Sequence, residues 1–196
     1  YVKVPCIARD LQQQGYFTSF MYGGQLSYGN IKGLIYYNKF DEITEGKDFS
    51  SKIPQGRLGV HDEYMLQAFL NKINGYRQPF FAVSFTLSSH NPYDQPFSEV
   101  FHWGGDAQKF INSAYYSDSC IGDFFKKAKK QQWYNNTLFI LVADHSHNSP
   151  RNWMIYSPGY RHIPMLFYGN VLKPEYKGKK YELLCSQTDL AATILS

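Results

Sequence analysis

The chain has 196 residues, 43% of them hydrophobic and 18% charged, with a formal net charge of +4. That composition excludes a disordered chain and leaves enough residues for a real core. The charge is too mild to argue for a nucleic-acid partner, and no apolar run reaches the ~18 residues of a membrane-spanning helix.

In chain order, a short helical stretch ends at Gly15, and Tyr16 to Met21 reads as a strand. Val60 to Asn74 reads as a helix with Met65, Ala68, Phe69 and Ile73 on one stripe, and Asp62 and Glu63 at its positive end. Pro79 to Leu87 is a compact run of aromatic and β-branched residues, expected as a strand buried on both faces. Asp106 to Lys130 carries Phe110, Ala114, Ile121, Phe125 and Ala128 at helical spacing and ends in Lys126, Lys127, Lys129 and Lys130, which suit a helix C-terminus. Thr137 to Ala143 is a second strand of the buried kind, and Ile163 to Tyr168 a further strand with Pro164 near its start. A final helix begins near Asp189 with Thr188 as its N-cap. This alternation predicts an α/β fold with a largely parallel sheet flanked by helices. Long polar loops at 88–105 and 144–162 are of the kind that carries function.

Three widely spaced cysteines, Cys6, Cys120 and Cys185, fit neither a disulfide framework nor a zinc motif. The strand Thr137 to Ala143 runs straight into Asp144-His145, followed by Ser146-His147. Ligands gather at the carboxyl ends of strands in such sheets, and a carboxylate beside an imidazole suits Zn²⁺ or Mn²⁺ better than Ca²⁺. The bland reading of the pair is a turn cap. His162, ahead of the next strand, is open to three readings: ligand, substrate contact or structural histidine. His147 reads as a solvated loop residue. His90 follows the strand Pro79 to Leu87 within the polar turn Thr86 to Tyr93, again at a carboxyl end.

Several motifs, taken together, carry a resemblance. Tyr16 to Gly24 with Tyr28-Gly-Asn30, Thr86 to Tyr93, Leu141 to His145, His162 to Gly169 and Ser186 to Leu195 occur in the order seen in lipoteichoic acid synthases and related phosphoglycerol transferases. The chain thus resembles the sulfatase-type catalytic domain of the alkaline phosphatase superfamily over nearly its whole length. The resemblance implies that residues 1–196 are the C-terminal part of one such domain. It further implies a divalent metal, Mn²⁺ or Zn²⁺ ahead of Mg²⁺, on Asp144 and His145, with His162 a lesser candidate. It places His90 on the substrate phosphate, and Gln25, Tyr28 and Asn30 along the head-group pocket.

The implied reaction is a two-step phosphodiester transfer or hydrolysis on a phosphoglycerol- or phosphoethanolamine-type lipid or glycan head group. The nucleophile and a further acidic ligand are expected upstream of Tyr1, as is a membrane anchor holding the domain on the extracytoplasmic face of a bacterial membrane. The chain alone is then expected to be inactive. Ser146 stands where the family usually has Gly, Gln25 where an acidic residue is common, and Gly29 where a larger residue is frequent; these departures bear on the substrate more than the metal. Two rival readings remain: a true sulfatase, whose C/S-x-P-x-R motif Cys6-Ile-Ala-Arg9 does not match, and an inactive module binding anionic head groups.

Overall fold

The computed structural model describes residues 6–28, 31–147 and 151–196. They fall into two compact units, residues 1–127 and 128–196.

The first unit is built on three parallel strands in the order β2-β1-β3. Helix α1 (Ile7–Gln13) leads into β1 (Phe17–Tyr22), α2 (Ile31–Tyr37) into β2 (Glu42–Thr44), and α3 (Asp62–Ile73) into β3 (Phe80–Phe85). Central β1 pairs Ser19 with Glu42 on one side and Phe17 through Tyr22 with Phe80 through Phe85 on the other. Paired along both edges, it is buried from Thr18 to Tyr22, with apolar Phe20, Met21 and Tyr22 following the polar Thr18 and Ser19. β3 is only half-buried along its length, contrary to the expectation from its composition. It is an edge strand of a small sheet, so apolar content alone overstated its cover.

The core on one side of the sheet gathers Phe20, Tyr22, Leu26, Ile35 and Leu87, with Ile43, Val83 and Phe85 packed against them. Helix α3 packs against β1 and β3 and buries Met65, Leu66, Phe69, Leu70 and Ile73. Ala68, expected on the stripe, is half-buried instead. The helix begins at Asp62 rather than Val60, and Asp62 is itself fully buried.

Helix α4 (Gly105–Ala128) corrects the sequence reading more sharply. Its buried side is Asn112, Ser113, Tyr116, Ser117, Cys120 and Ala128, whereas Phe110, Ala114, Ile121 and Phe125 are half-buried. The reason is polar. The Asn112 amide accepts from the N–H groups of Val100 and Phe101 at 2.8 and 3.0 Å and donates to the Phe101 carbonyl at 2.9 Å. Helix α2 and strand β2 lack strong periodicity and were not expected from the sequence.

In the second unit, β4 (Phe139–Val142) and β5 (Met165–Tyr168) pair antiparallel, with Phe139 opposite Tyr168. Rings of Trp133, Tyr134 and Tyr168 surround Phe139. β4 is half-buried rather than covered on both faces, since β5 is its one partner among the described residues. The predicted loop 144–162 contains one helical turn, α5 (Pro158–Arg161), capped by Ser157, whose hydroxyl accepts from Tyr160 N–H at 3.2 Å. Before α6 (Asp189–Leu195), Thr188 makes no capping bond; its hydroxyl turns back to Ser186 Oγ at 3.0 Å. Among the described residues no helix is long and apolar enough to cross a membrane.

Candidate functional site

Parallel pairing sends the carboxyl ends of β1, β2 and β3 to one edge of the first unit's sheet. β1 runs out into Gly23-Gly24, β2 into Glu45-Gly46-Lys47, and β3 into Thr86 to His90. A cavity of about 580 Å³ opens off the first two, lined among others by Gln25, Lys32, Glu45, Lys47 and Arg57. That volume is in the range of small-ligand sites. Its lining carries three cationic side chains against the single carboxylate of Glu45, a balance that favours an anion.

Glu45 is buried and structural. One oxygen accepts from Leu26 N–H at 3.0 Å and the other pairs with Lys47. The Lys47 ammonium, helped by the Leu26 N–H and opposed by burial, holds the Glu45 carboxyl below its usual range. Of the predicted pocket residues, Gln25 lines this cavity. Tyr28 is 61% exposed and does not line it. Asn30 lies outside the described residues. Lys32, Lys47 and Arg57 were not anticipated, because nothing in local spacing ties them to the Gly-Gly turn.

His90 is exposed on a hydrogen-bonded turn: its N–H donates to Leu87 O at 3.0 Å and its carbonyl accepts from Tyr93 N–H at 3.1 Å. Its ring Nδ1 lies 2.7 Å from the Asn91 carbonyl. A carbonyl only accepts, so Nδ1 carries the proton. Nε2 is therefore a bare lone pair in the neutral ring and an N–H donor in the protonated one.

In the second unit, β4 ends at Val142 and the chain turns through Ala143 into Asp144-His145, both exposed. Asp144 Oδ1 accepts from His145 N–H at 2.9 Å. His145 Nδ1 lies 2.8 Å from the Ser146 carbonyl, so it too must be the donor. That leaves a lone pair on Nε2, 3.5 Å from Asp144 Oδ2. At that separation the two groups can form an ion pair through a protonated ring or hold a cation between them. A tetrahedral ion with arms of about 2.0–2.2 Å sets its donors about 3.4 Å apart, so the pair fits such an ion. The ring N–H held by a backbone carbonyl is the usual support of a ligating histidine.

Two side chains fix this turn from a distance. Gln187 Nε2 donates to the carbonyls of Ala143 and Asp144 at 2.6 and 2.9 Å. Ser146 Oγ donates to the Tyr160 carbonyl. The Ser186 to Leu195 motif was visible in the sequence; the role of Gln187 in it was not. His162, exposed at the end of α5, does not join Asp144 and His145, and no group of three metal-ligating side chains occurs among the described residues.

The sequence pattern of the sulfatase family matches residues 2–196. The chain belongs to the sulfatase family. Lipoteichoic acid synthase 1 of Bacillus subtilis is 24% identical over 155 residues, covering 74% of this chain and 24% of the synthase. A solved alkaline phosphatase superfamily protein from Vibrio parahaemolyticus is 33% identical, with TM-score 0.72, covering 86% of this chain and 42% of that one. The lipoteichoic acid synthase of Listeria monocytogenes is similar at TM-score 0.74 and 18% identity, over 87% of this chain and 47% of that one. This sulfatase-family chain therefore has an alkaline phosphatase-like fold and spans about a quarter of the length of its curated relatives.

Proposed function

We propose that the longer protein transfers or hydrolyses a phosphodiester on a phosphoglycerol- or phosphoethanolamine-type head group of a lipid or glycan. The observation that carries this reading is the 3.5 Å approach of His145 Nε2 and Asp144 Oδ2, with the ring proton committed to Nδ1. These two residues would hold a divalent ion; His162, the lesser candidate of the sequence, stands apart from them. When bound, Mn²⁺ or Zn²⁺ would offset charge on the phosphoryl oxygens.

The chain's own groups do the rest. Protonated His90 donates from Nε2 to a non-bridging phosphate oxygen, a charge-assisted bond. Gln25 lines the cationic cavity, where an anionic head group is drawn by Lys32, Lys47 and Arg57, and Tyr28 and Asn30 are further proposed head-group contacts. The nucleophile comes from outside residues 1–196, so this chain alone is inactive. In the same reading the domain works on the extracytoplasmic face of a bacterial membrane, held by an anchor elsewhere in the protein.

Support comes from relatives. A Streptococcus pyogenes phosphoglycerol transferase, 18% identical with TM-score 0.57, is solved with sn-glycerol-1-phosphate. An Escherichia coli periplasmic domain, 15% identical with TM-score 0.58, is solved with zinc.

The test uses the full-length protein, assayed on a glycerol phosphodiester and on an aryl sulfate with Mn²⁺, Zn²⁺ or Mg²⁺. Phosphodiester turnover that is lost on chelation and in Asp144→Ala is expected. Undiminished turnover in that variant removes Asp144 from the site; preferential sulfate hydrolysis replaces the reading with a sulfatase.

A further inference from the structure

Asp62 is the most heavily bonded buried acid in the first unit. It is fully buried at the first position of α3. Its Oδ1 accepts from the Leu87 N–H at 2.9 Å, and both oxygens lie 3.3 Å from the Ser88 N–H. Oδ2 also accepts from the Ser117 hydroxyl of α4 at 2.7 Å. In return the Asp62 N–H donates to Ser88 Oγ at 3.0 Å. No Lys, Arg or His pairs with the carboxylate among the described residues.

A buried charge without a counter-ion is costly unless donors converge on it. Here they converge on one short stretch, Leu87-Ser88, where the chain leaves β3. The Leu87 peptide is held on both sides: its N–H is bound by Asp62 and its carbonyl accepts from the His90 N–H at 3.0 Å. His90 itself is exposed and touches neither Asp62 nor Ser117 in any of these bonds. The carboxylate therefore fixes the start of the turn whose tip presents the imidazole.

We infer that Asp62, with Ser88 and Ser117, is a positioning residue that sets where His90 Nε2 meets the substrate phosphate. The inference rests on the phosphate-contacting role proposed above for His90. Asparagine at position 62 keeps the shape but offers one acceptor oxygen and turns an NH₂ group towards donors. The turn then loses its fixed register, and a displacement of about 1 Å at a contacting group costs roughly 10- to 100-fold in turnover.

The experiment is a double-mutant cycle on kcat in the full-length protein with Mn²⁺ and a 4-nitrophenyl phosphodiester of glycerol. It compares wild type, Asp62→Asn, His90→Ala and the double variant, with melting temperatures alongside. The expected result is a loss in each single variant, mainly in kcat, and a double variant within about twofold of His90→Ala alone, since coupled residues do not add. Losses that multiply overturn the positioning role, leaving His90's role intact. Undiminished turnover in His90→Ala overturns the reading of His90 itself. Should Asp62→Asn not fold, Ser117→Ala, which removes one donor, takes its place in the cycle: masking by His90→Ala supports the inference, and multiplication or no loss overturns it.

Discussion

The wall of the cationic cavity depends on Gly59, and replacing it with alanine puts a number on that dependence. Gly59 has φ +140°, and a Cβ there would lie 2.2 Å from the Gly23 carbonyl oxygen and 2.8 Å from Gly24 Cα. The methyl group cannot be relieved by a side-chain rotation, because both neighbours are backbone. The two segments must part by about 1 Å to restore ordinary contact. The same patch holds the Val60 N–H to Gly23 O and Gly56 N–H to Gly59 O bonds, both 2.9 Å. Weakening both costs about 1 kcal/mol each, and the left-handed backbone adds about 1–2 kcal/mol for a residue with a Cβ. The total, about 3–4 kcal/mol, is a large share of a typical folding stability. At about 2–4 °C per kcal/mol for a chain of this size, Gly59→Ala should lower the melting temperature by roughly 6–16 °C. Thermal unfolding followed by circular dichroism measures it. A shift under about 2 °C would mean that the Gly23–Gly59 contact is not what holds the wall closed.

Acid should loosen both ends of the first unit's sheet. Burial pushes the Asp41 carboxyl up, but the Thr18 N–H and hydroxyl and the Gln12 amide outweigh it and hold the group below its usual value. Glu45 is held down chiefly by Lys47. A folded pKa below the unfolded one gives stability that is full above the ordinary carboxylate range and lost as pH falls through the folded values. Melting temperature should therefore hold down to about pH 5 and fall below about pH 4; a flat profile from pH 5 to pH 3 contradicts it. Thiol labelling offers a further check. Burial pushes the Cys120 thiol up to about 12, while Cys185 is exposed. At pH 8 a disulfide reagent should label Cys185 quickly and Cys120 only after denaturant is added; equal rates would show that α4 is not packed as described.

Much of the fold was legible because its strands are short apolar runs ending in sharp polar turns. Phe80–Phe85 and Phe139–Val142 fall inside the runs seen in the sequence, and Phe17–Tyr22 overruns its run by one residue. The same logic found Asp144 and His145, which sit where a strand stops. α4 misled because hydropathy ranks Asn112, Ser113 and Ser117 as surface residues, while the structure buries the first two against backbone groups and Ser117 against the Asp62 carboxylate. Asp62, Glu45 and Gln187 were unreadable for a related reason. Each satisfies main-chain N–H or C=O groups 19 to 44 residues away, and main-chain groups leave no trace in composition. The cavity's lysines and arginine are brought in by helix α2, the turn after β2 and the loop before α3, which no spacing rule joins.

The polar side of α4 has a consequence for how such a protein can diversify. Ser117 reaches the start of the 88–101 segment through Asp62, and Asn112 grips its far end at Val100 and Phe101. Between these anchors the Asp94 carboxylate takes the Arg57 N–H at 2.7 Å, joining the segment's midpoint to the cavity rim. Phe97 adds an aromatic anchor on Tyr115 and Tyr116 of α4, with ring centroids 6.1 and 5.6 Å apart, so the segment is tied to α4 by rings as well as by hydrogen bonds. Exchanging the exposed Pro96 and Ser98 on either side of that ring is thus a way to vary the segment's surface while its anchors hold.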